Sequence, residues 1–180
     1  MKRSGLFLGI FLVLLGVLII SSGTNIPGLS SGQGINYESE VCVFKNNELV
    51  QCDHNVLYTD GGEAIKEAIG NGVANGAFQN ISLCNSSTAG VGCGGVTAGQ
   101  SEAYNLFSAG GLTQSQGTYF SNGNGNWTIS KTFTATASSL TTNVTKLSNV
   151  TGSNLSGNSF TAVTLNTDDQ ITINWTIWVT

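Results

Sequence analysis

Two stretches in the second half of the chain alternate apolar and polar residues at every second position. The first runs over 126–138 and the second over 171–179. In the second stretch the apolar positions are Ile171, Ile173, Trp175, Ile177 and Val179. The residues between them are Thr172, Asn174, Thr176 and Trp178. A period of two places alternate side chains on opposite faces of a β-strand, so both stretches are predicted to be strands with one buried face.

Shorter apolar segments bounded by turn residues extend this β pattern. Val41–Phe44 and Leu49–Cys52 flank the polar turn 45–48 and predict a hairpin. Phe160–Leu165 is predicted to be a strand that the turn 166–169 joins to the last one, and Asn122–Gly125 is a second turn signal. We interpret the Thr-, Ser- and Asn-rich segment 138–157 as a polar connection.

One segment favours a helix. Ile65 and Ile69 lie four residues apart within Glu63–Ile69, and Gly70 follows as a stop signal. Several short strands with few helices predict a mainly β domain over 41–180, an antiparallel β-sandwich of jelly-roll or Ig-like type with one short helix.

The N-terminus carries a further, hydrophobic helix signal. Gly5–Ile20 is an uncharged apolar run that follows Lys2 and Arg3. At helical rise it spans about 24 Å, slightly less than a bilayer core. The small residues 21–23 suit cleavage by a signal peptidase, which makes 1–23 a signal peptide. Two alternatives stay open: an uncleaved membrane anchor through residues 5–20, or a leader that resembles those of type IV pilins, although no acidic residue follows the basic tip.

Residues 24–40 contain Pro27 with several Gly and Ser and are predicted to be a flexible arm. Export predicts a secreted or cell-surface location, with the membrane as a partner if residues 5–20 stay attached.

Charge excludes one class of partner. The formal net charge is −4, and without Lys2 and Arg3 it becomes −4 − 2 = −6. Binding to a nucleic-acid backbone requires a basic surface, which a chain with four remaining Lys and no remaining Arg does not provide.

The four cysteines fall into two local pairs, Cys42 with Cys52 and Cys84 with Cys93. Four cysteines allow three connectivities, and the predicted hairpin brings positions 42 and 52 opposite each other. We therefore predict two local disulfides. Zinc is the alternative, but its usual Cys-x2–4-Cys spacing is missing from both pairs.

Seven Asn-x-Ser/Thr tripeptides lie downstream of the apolar run. They begin at Asn80, Asn85, Asn126, Asn143, Asn149, Asn154 and Asn174. Such tripeptides accept N-linked glycans when an exported protein presents them to solvent. Chance is the competing interpretation in a chain this rich in Asn, Ser and Thr.

The sequence does not suggest a set of residues that could form a catalytic site. No nucleophile-elbow, zinc-protease or phosphate-binding motif occurs. We interpret the single histidine, His54, as a surface residue and the pair Asp168–Asp169 as turn residues. Of the three tryptophans, Trp127 and Trp175 fall on apolar faces, whereas Trp178 projects to the opposite side. We expect no enzyme, no catalytic residue, no cofactor and no metal site.

The order of landmarks over 53–180 resembles phage tail-associated and fibre-like β-domains. It starts with Asn55–Gly62, a short helix and a strand ending at Leu83, followed by Glu102, Gly111–Leu112, Trp127–Ala137 and Phe160–Leu165. It closes on the polar turn and Ile-x-Trp-x-Ile strand of residues 168–177. The apolar leader, the cysteine-bearing hairpin and the glycosylation tripeptides depart from that pattern and are similar to archaeal surface-filament and archaeal virus proteins.

This resemblance implies a glycosylated structural subunit of a cell-surface filament, pilus or coat that associates with itself. In such filaments an N-terminal segment of one subunit completes the sheet of the next. Two other functions stay open: a membrane-anchored virion or host-recognition protein, and a carbohydrate-binding module.

Overall fold

Ten β-strands and one helix make up the described part of a computed structural model, which covers residues 37–66, 77–87 and 105–179. The strands are β1 (Tyr37–Lys45), β2 (Glu48–His54), β3 (Val56–Leu57), β4 (Asn80–Leu83), β5 (Ser115–Gln116), β6 (Thr118–Gly123), β7 (Asn126–Thr134), β8 (Leu140–Ser148), β9 (Asn154–Leu165) and β10 (Gln170–Val179). The helix α1 (Thr59–Lys66) lies between β3 and β4.

The strands form two antiparallel five-stranded sheets. Sheet A has the order β2-β1-β10-β7-β6, and sheet B has the order β3-β9-β8-β4-β5. These sheets and the short helix confirm the predicted mainly β class. The predicted N-terminal hydrophobic helix lies outside the described residues.

Both sheets contribute to a single apolar core. Sheet A supplies residues such as Ile129, Phe133 and the inward row of β10, and sheet B supplies residues such as Ile81, Leu147 and Leu165. Ile171, Ile173, Trp175 and Ile177 are at most 1% exposed, whereas the residues between them are half-buried. The period-two prediction for this strand is confirmed.

The predicted hairpin is also confirmed. β1 pairs with β2 around the turn residues Asn46 and Asn47, whose φ angles are 49° and 67°. Asparagine tolerates this left-handed conformation better than most residues, and a two-residue turn of this kind matches the twist of the two strands. β1 begins at Tyr37, so residues 37–40 of the predicted arm lie in sheet A, paired with β10.

The helix begins earlier than its sequence predicts. α1 starts at Thr59 and includes Gly61 and Gly62, which are poor helix formers. A side chain on Gly61 would collide with the backbone of Leu155, so close packing against β9 selects glycine there. The predicted last residues of the helix, 67–70, lie outside the described residues.

The prediction of a polar connection over 138–157 is wrong. Most of that segment is β8 and the first part of β9, and β8 pairs at eight positions with residues from both ends of β9. The pattern of apolar residues does not predict β8 because two polar residues, Thr142 and Thr145, occupy fully buried positions in it. The Thr145 hydroxyl donates to the carbonyl of Ser82 at 3.0 Å, and such a bond lets a hydroxyl occupy a buried position.

Among the described residues, no helix is long and apolar enough to cross a membrane.

Candidate assembly surface and glycan acceptors

The face of sheet A that points away from the core is lined by hydroxyl and amide groups. Across β7 and β10, Thr128 contacts Thr176 at 3.1 Å and Thr132 contacts Thr172 at 2.8 Å. Between these pairs, the Ser130 hydroxyl donates to Asn174 Oδ1 at 2.7 Å. Cross-strand hydroxyl pairs stabilise neighbouring strands while leaving a polar surface.

The Cys42–Cys52 disulfide lies on this same outer face. Cys42 is directly opposite Cys52 on one side and opposite Asn174 on the other. The predicted pairing is therefore confirmed, and it links β1 to the edge strand β2. Cys84 is also disulfide-bonded; Cys93, its predicted partner, lies outside the described residues.

Trp178 is half-buried on this face, at the end of β10. Its cross-strand neighbours are Glu38 of β1 and Asn126 of β7. Trp175, by contrast, is completely buried, and Trp127 packs against the core, as their apolar faces predict.

Three of the seven glycosylation tripeptides begin in strands where their polar surroundings suggest turns or a polar connection. Asn126 and Asn154 begin strands, Asn143 lies inside β8, and only Asn149 of the 138–157 group sits in a turn. In sheet B, Asn80 begins β4 and Asn85 follows it. Asn174 lies within β10 on its outward face, as predicted.

Asn149 has a structural role in the turn between β8 and β9. It is 1% exposed, and its Oδ1 accepts bonds from the Thr151 amide at 3.1 Å, the Thr151 hydroxyl at 2.9 Å and the Ser153 amide at 2.8 Å. A side chain that is buried and bonded in this way is a poor glycan acceptor in the folded protein.

Asn143 is similarly constrained. It lies between Thr142 and Val144, where the register of β8 against β9 shifts, and its Oδ1 is buried without a hydrogen-bond partner among the described residues. The tripeptide motif contains no information about burial, so sequence reasoning did not separate these two positions from the other five.

The outermost strands of the two sheets differ in length and in charge. In sheet B, the edge strands β3 and β5 are two residues long. In sheet A, β2 has seven residues and carries Glu48 and Asp53, whereas β6 has six residues and no charge. Among the edge strands of the described part of the chain, β6 is the longest one without a charged side chain.

Two aromatic side chains are exposed on β6. Tyr119 is 52% exposed and Phe120 is 51% exposed. Tyr119 is paired with Ile129 of the core face and Phe120 with Thr128 of the outer face, so the two rings project from opposite faces of the strand. Sequence analysis missed this strand, although its position just before the Asn122–Gly125 turn was the available signal.

A cluster of polar contacts joins the β1–β2 turn to the β9–β10 turn. Asp169 accepts bonds from the Asn46 side-chain amide at 2.9 Å and the Asn166 backbone amide at 2.9 Å, and it forms an ion pair with Lys45 at 3.2 Å. The bond from Asn166, followed by those from Asn46 and Lys45, lowers the pKa of Asp169 to about 2. Asp169 therefore holds the two turns together, and we call these contacts of Asp169 the turn clamp. Asp168, beside it, has a left-handed backbone conformation (φ 71°).

His54 is exposed at the end of β2, opposite Glu40 of β1. Close by, an open depression of about 530 Å³ is lined by Tyr37, Glu38, Ser39, His54, Asn55 and Leu57. The Ser39 hydroxyl donates to Asn55 Oδ1 and lies 3.1 Å from the Tyr37 hydroxyl, and the Asn55 amide donates to Ser156 of sheet B at 2.9 Å. These bonds link the two sheets, and we assign them a structural role.

One group among the described residues brings three potential metal ligands together, Glu40 with Cys42 and Cys52. The two sulfurs are bonded to each other in the disulfide. Because metal binding by cysteine requires a thiolate, this group does not form a metal site in the oxidised protein.

Comparisons with protein-family models, with curated proteins and with solved structures find no match to this chain.

Proposed function

We propose that this chain is an exported, glycosylated structural subunit, without enzymatic activity, of a cell-surface filament, pilus or coat, most simply an archaeal one. Copies associate by β-strand addition, in which the N-terminal arm of one subunit pairs with a sheet edge of the next. The observation that carries this proposal is the pair of open edges of sheet A, β2 and β6, which end the sheet among the described residues.

The outer face of sheet A supports an extracellular, glycan-covered surface. Its central rows consist of hydroxyls and amides, and Asn174 stands among them beside the disulfide. Disulfides persist in oxidising compartments, which agrees with export.

We also propose that the two sheets form a β-sandwich of the Ig-like type. β7 pairs with β10 in sheet A, while β8 and β9, which come between them in the chain, pair in sheet B. Consecutive strands of an Ig-like domain exchange sheets in the same way, with the middle two paired in one sheet and the outer two in the other.

The arrangement of the exposed aromatic rings favours assembly over carbohydrate binding. A sugar platform requires coplanar rings, but Tyr119 and Phe120 project from opposite faces of β6. A strand added beside β6 would instead cover part of each ring.

A deletion tests the proposed assembly. Removing residues 24–36 from the full chain keeps β1 intact from Tyr37 onward. We expect folded monomers with the disulfide formed, measured by light scattering and by mass spectrometry without reduction. Filaments or oligomers equal to those of the parent chain would show that strand addition by the arm is wrong.

The N-terminal mass distinguishes the second candidate, a membrane-anchored virion or host-recognition protein. A mature chain that begins after residue 23 supports a released subunit. A chain that retains Met1 or Lys2 and fractionates with membranes supports the anchored protein.

A further inference from the structure

We infer that β6 is the acceptor edge and that its occupant is the arm, residues 24–36, of a second copy of this chain. This inference rests on the proposed function and assigns strand addition to one of four sheet edges. The added strand would extend sheet A beyond Thr118–Gly123.

The other three edges are poor acceptors. β3 and β5 offer two residues each, too few for a stable strand pair. β2 is long enough, but its two carboxylates, Glu48 and Asp53, are exposed. The β1–β2 ladder is also interrupted by a bulge between Val43 and Phe44. Charges and bulges at an edge discourage the addition of another strand.

β6 has none of the charges that protect β2. All six of its residues are exposed, and none is charged or a proline. An added strand would pair with the outer backbone groups of β6, which face no other strand among the described residues, and would remove apolar surface of Tyr119 on one face and of Phe120 on the other. The only irregularity is a bulge near the turn, between Ser121 and Gly123.

The arm matches this edge in charge and in length. Residues 24–36 contain no charged side chain, so pairing with the uncharged β6 removes no ion from water. An extended chain of 13 residues reaches roughly 43 Å, about twice the length of a six-residue strand. The arm is therefore long enough to pair with the whole of β6 and to leave a linker to its own β1.

The alternative occupant is β6 of a second copy, paired antiparallel around a two-fold axis. That arrangement would cover the same aromatic rings, but a two-fold contact closes after two copies. An arm and an edge are different surfaces, and a heterologous contact between them repeats from copy to copy, which builds a filament when the rotation between copies does not close a ring.

Matched lysine substitutions at the two edges of sheet A test the assignment. Phe120→Lys on β6 and Leu49→Lys on β2 replace side chains of similar exposure, 51% and 59%. We expect Phe120→Lys to raise the concentration required for assembly at least tenfold, and Leu49→Lys to leave it unchanged. Unchanged assembly of Phe120→Lys, or a loss caused by Leu49→Lys, would overturn the assignment.

Thermal unfolding verifies that both variants fold. Ser121→Lys, on the same exposed edge, replaces Phe120→Lys if that variant fails to fold, with the same expected loss of assembly.

Mixing two assembly-deficient chains identifies the occupant. The 24–36 deletion keeps β6 but lacks the arm, whereas Phe120→Lys keeps the arm but has a blocked edge. Each chain should be monomeric alone, and together they should form one-to-one pairs and nothing larger. Dimers of the deletion chain alone would show that β6 pairs with β6.

The two proposals fail in distinguishable ways. Normal assembly of the deletion chain contradicts strand addition by the arm, and with it the acceptor assignment. Loss of assembly in the deletion chain together with normal assembly of Phe120→Lys contradicts only the choice of β6.

Discussion

At the scale of single residues, this protein uses polar side chains to do structural work inside its sheets and turns. Thr142 and Thr145 are fully buried, and the Thr145 hydroxyl compensates for its burial by bonding to the backbone of the neighbouring strand. Asn149 does the same in a turn, where one carboxamide oxygen accepts three bonds. The low charge content of the chain is thus matched by an extensive use of neutral hydrogen bonds.

Asn149→Ala should destabilise the fold by about 1–2 kcal/mol, because the amides of Thr151 and Ser153 lose their acceptor. Asn149→Asp keeps an acceptor oxygen and should cost less. Denaturant unfolding measures the change, with Asn154→Ala, at the half-buried start of β9, as the matched control. Equal free energies of unfolding for Asn149→Ala and Asn154→Ala would contradict the structural role of Asn149.

At the scale of elements, two turns are held together by a carboxylate rather than by apolar packing. Asp169 of the β9–β10 turn bonds to Asn46 of the β1–β2 turn, and Asn46 in turn accepts the Gln170 amide at 2.8 Å. The ion pair with Lys45 is partly exposed, so we expect the hydrogen bonds to contribute more than the charge attraction.

Acid should weaken this clamp. The folded-state pKa of Asp169 is about 2, below the value of about 3.9 for an unfolded aspartate. A carboxylate whose pKa is lower in the folded state stabilises that state above pH 4. This stabilisation is lost as the pH falls toward 2. Asp169→Asn should therefore flatten the fall of the thermal midpoint between pH 4 and pH 2.

Asp168→Asn is the matched control for this measurement. Asparagine tolerates the left-handed backbone at position 168, and its neighbour Asp169 remains charged. If the thermal midpoints of Asp169→Asn and Asp168→Asn fall equally between pH 4 and pH 2, the stabilising role of Asp169 is contradicted.

The predictability of these elements from sequence follows from how they are buried. β10 and β1 were predictable because each buries a row of apolar residues on one face, and the β1–β2 turn was predictable because its asparagines suit a tight turn. β8 was not, because Thr, Lys and Ser share its buried positions with Val144 and Leu147, and β6 was not, because all of its residues are exposed. The start of α1 could not be predicted because Gly61 is a poor helix former. Glycine is required there by the close approach of the Leu155 backbone, which only the tertiary structure creates.

At the scale of the whole molecule, the proposed glycan acceptors differ in how close they lie to the edge strand β6. Asn174 projects from the middle of the outer face of sheet A, whereas β6 lies two strands away and has no acceptor among its own residues. A glycan on Asn174 would cover the centre of that face and leave the β6 edge accessible.

Glycopeptide mass spectrometry of the full chain tests this division. We expect a glycan on Asn174 and none on Asn149, because Asn174 is half-buried on the outward face of its strand whereas Asn149 is buried. Asn174→Gln should remove that glycan and leave assembly unchanged. A modified Asn149 with an unmodified Asn174 would contradict this account of the surface.

The pairing of β1 has a mechanical consequence. β1 starts at Tyr37, directly after the arm, and pairs with β10 along all nine of its residues. Tension transmitted through an arm held by a neighbouring subunit would pull β1 along its own axis, loading those backbone hydrogen bonds in shear. Bonds loaded together resist rupture better than bonds peeled one at a time, and the disulfide to β2 adds a covalent tether five residues into the strand. If subunits associate as proposed, β1 would carry the tensile load at the point where the arm enters the domain.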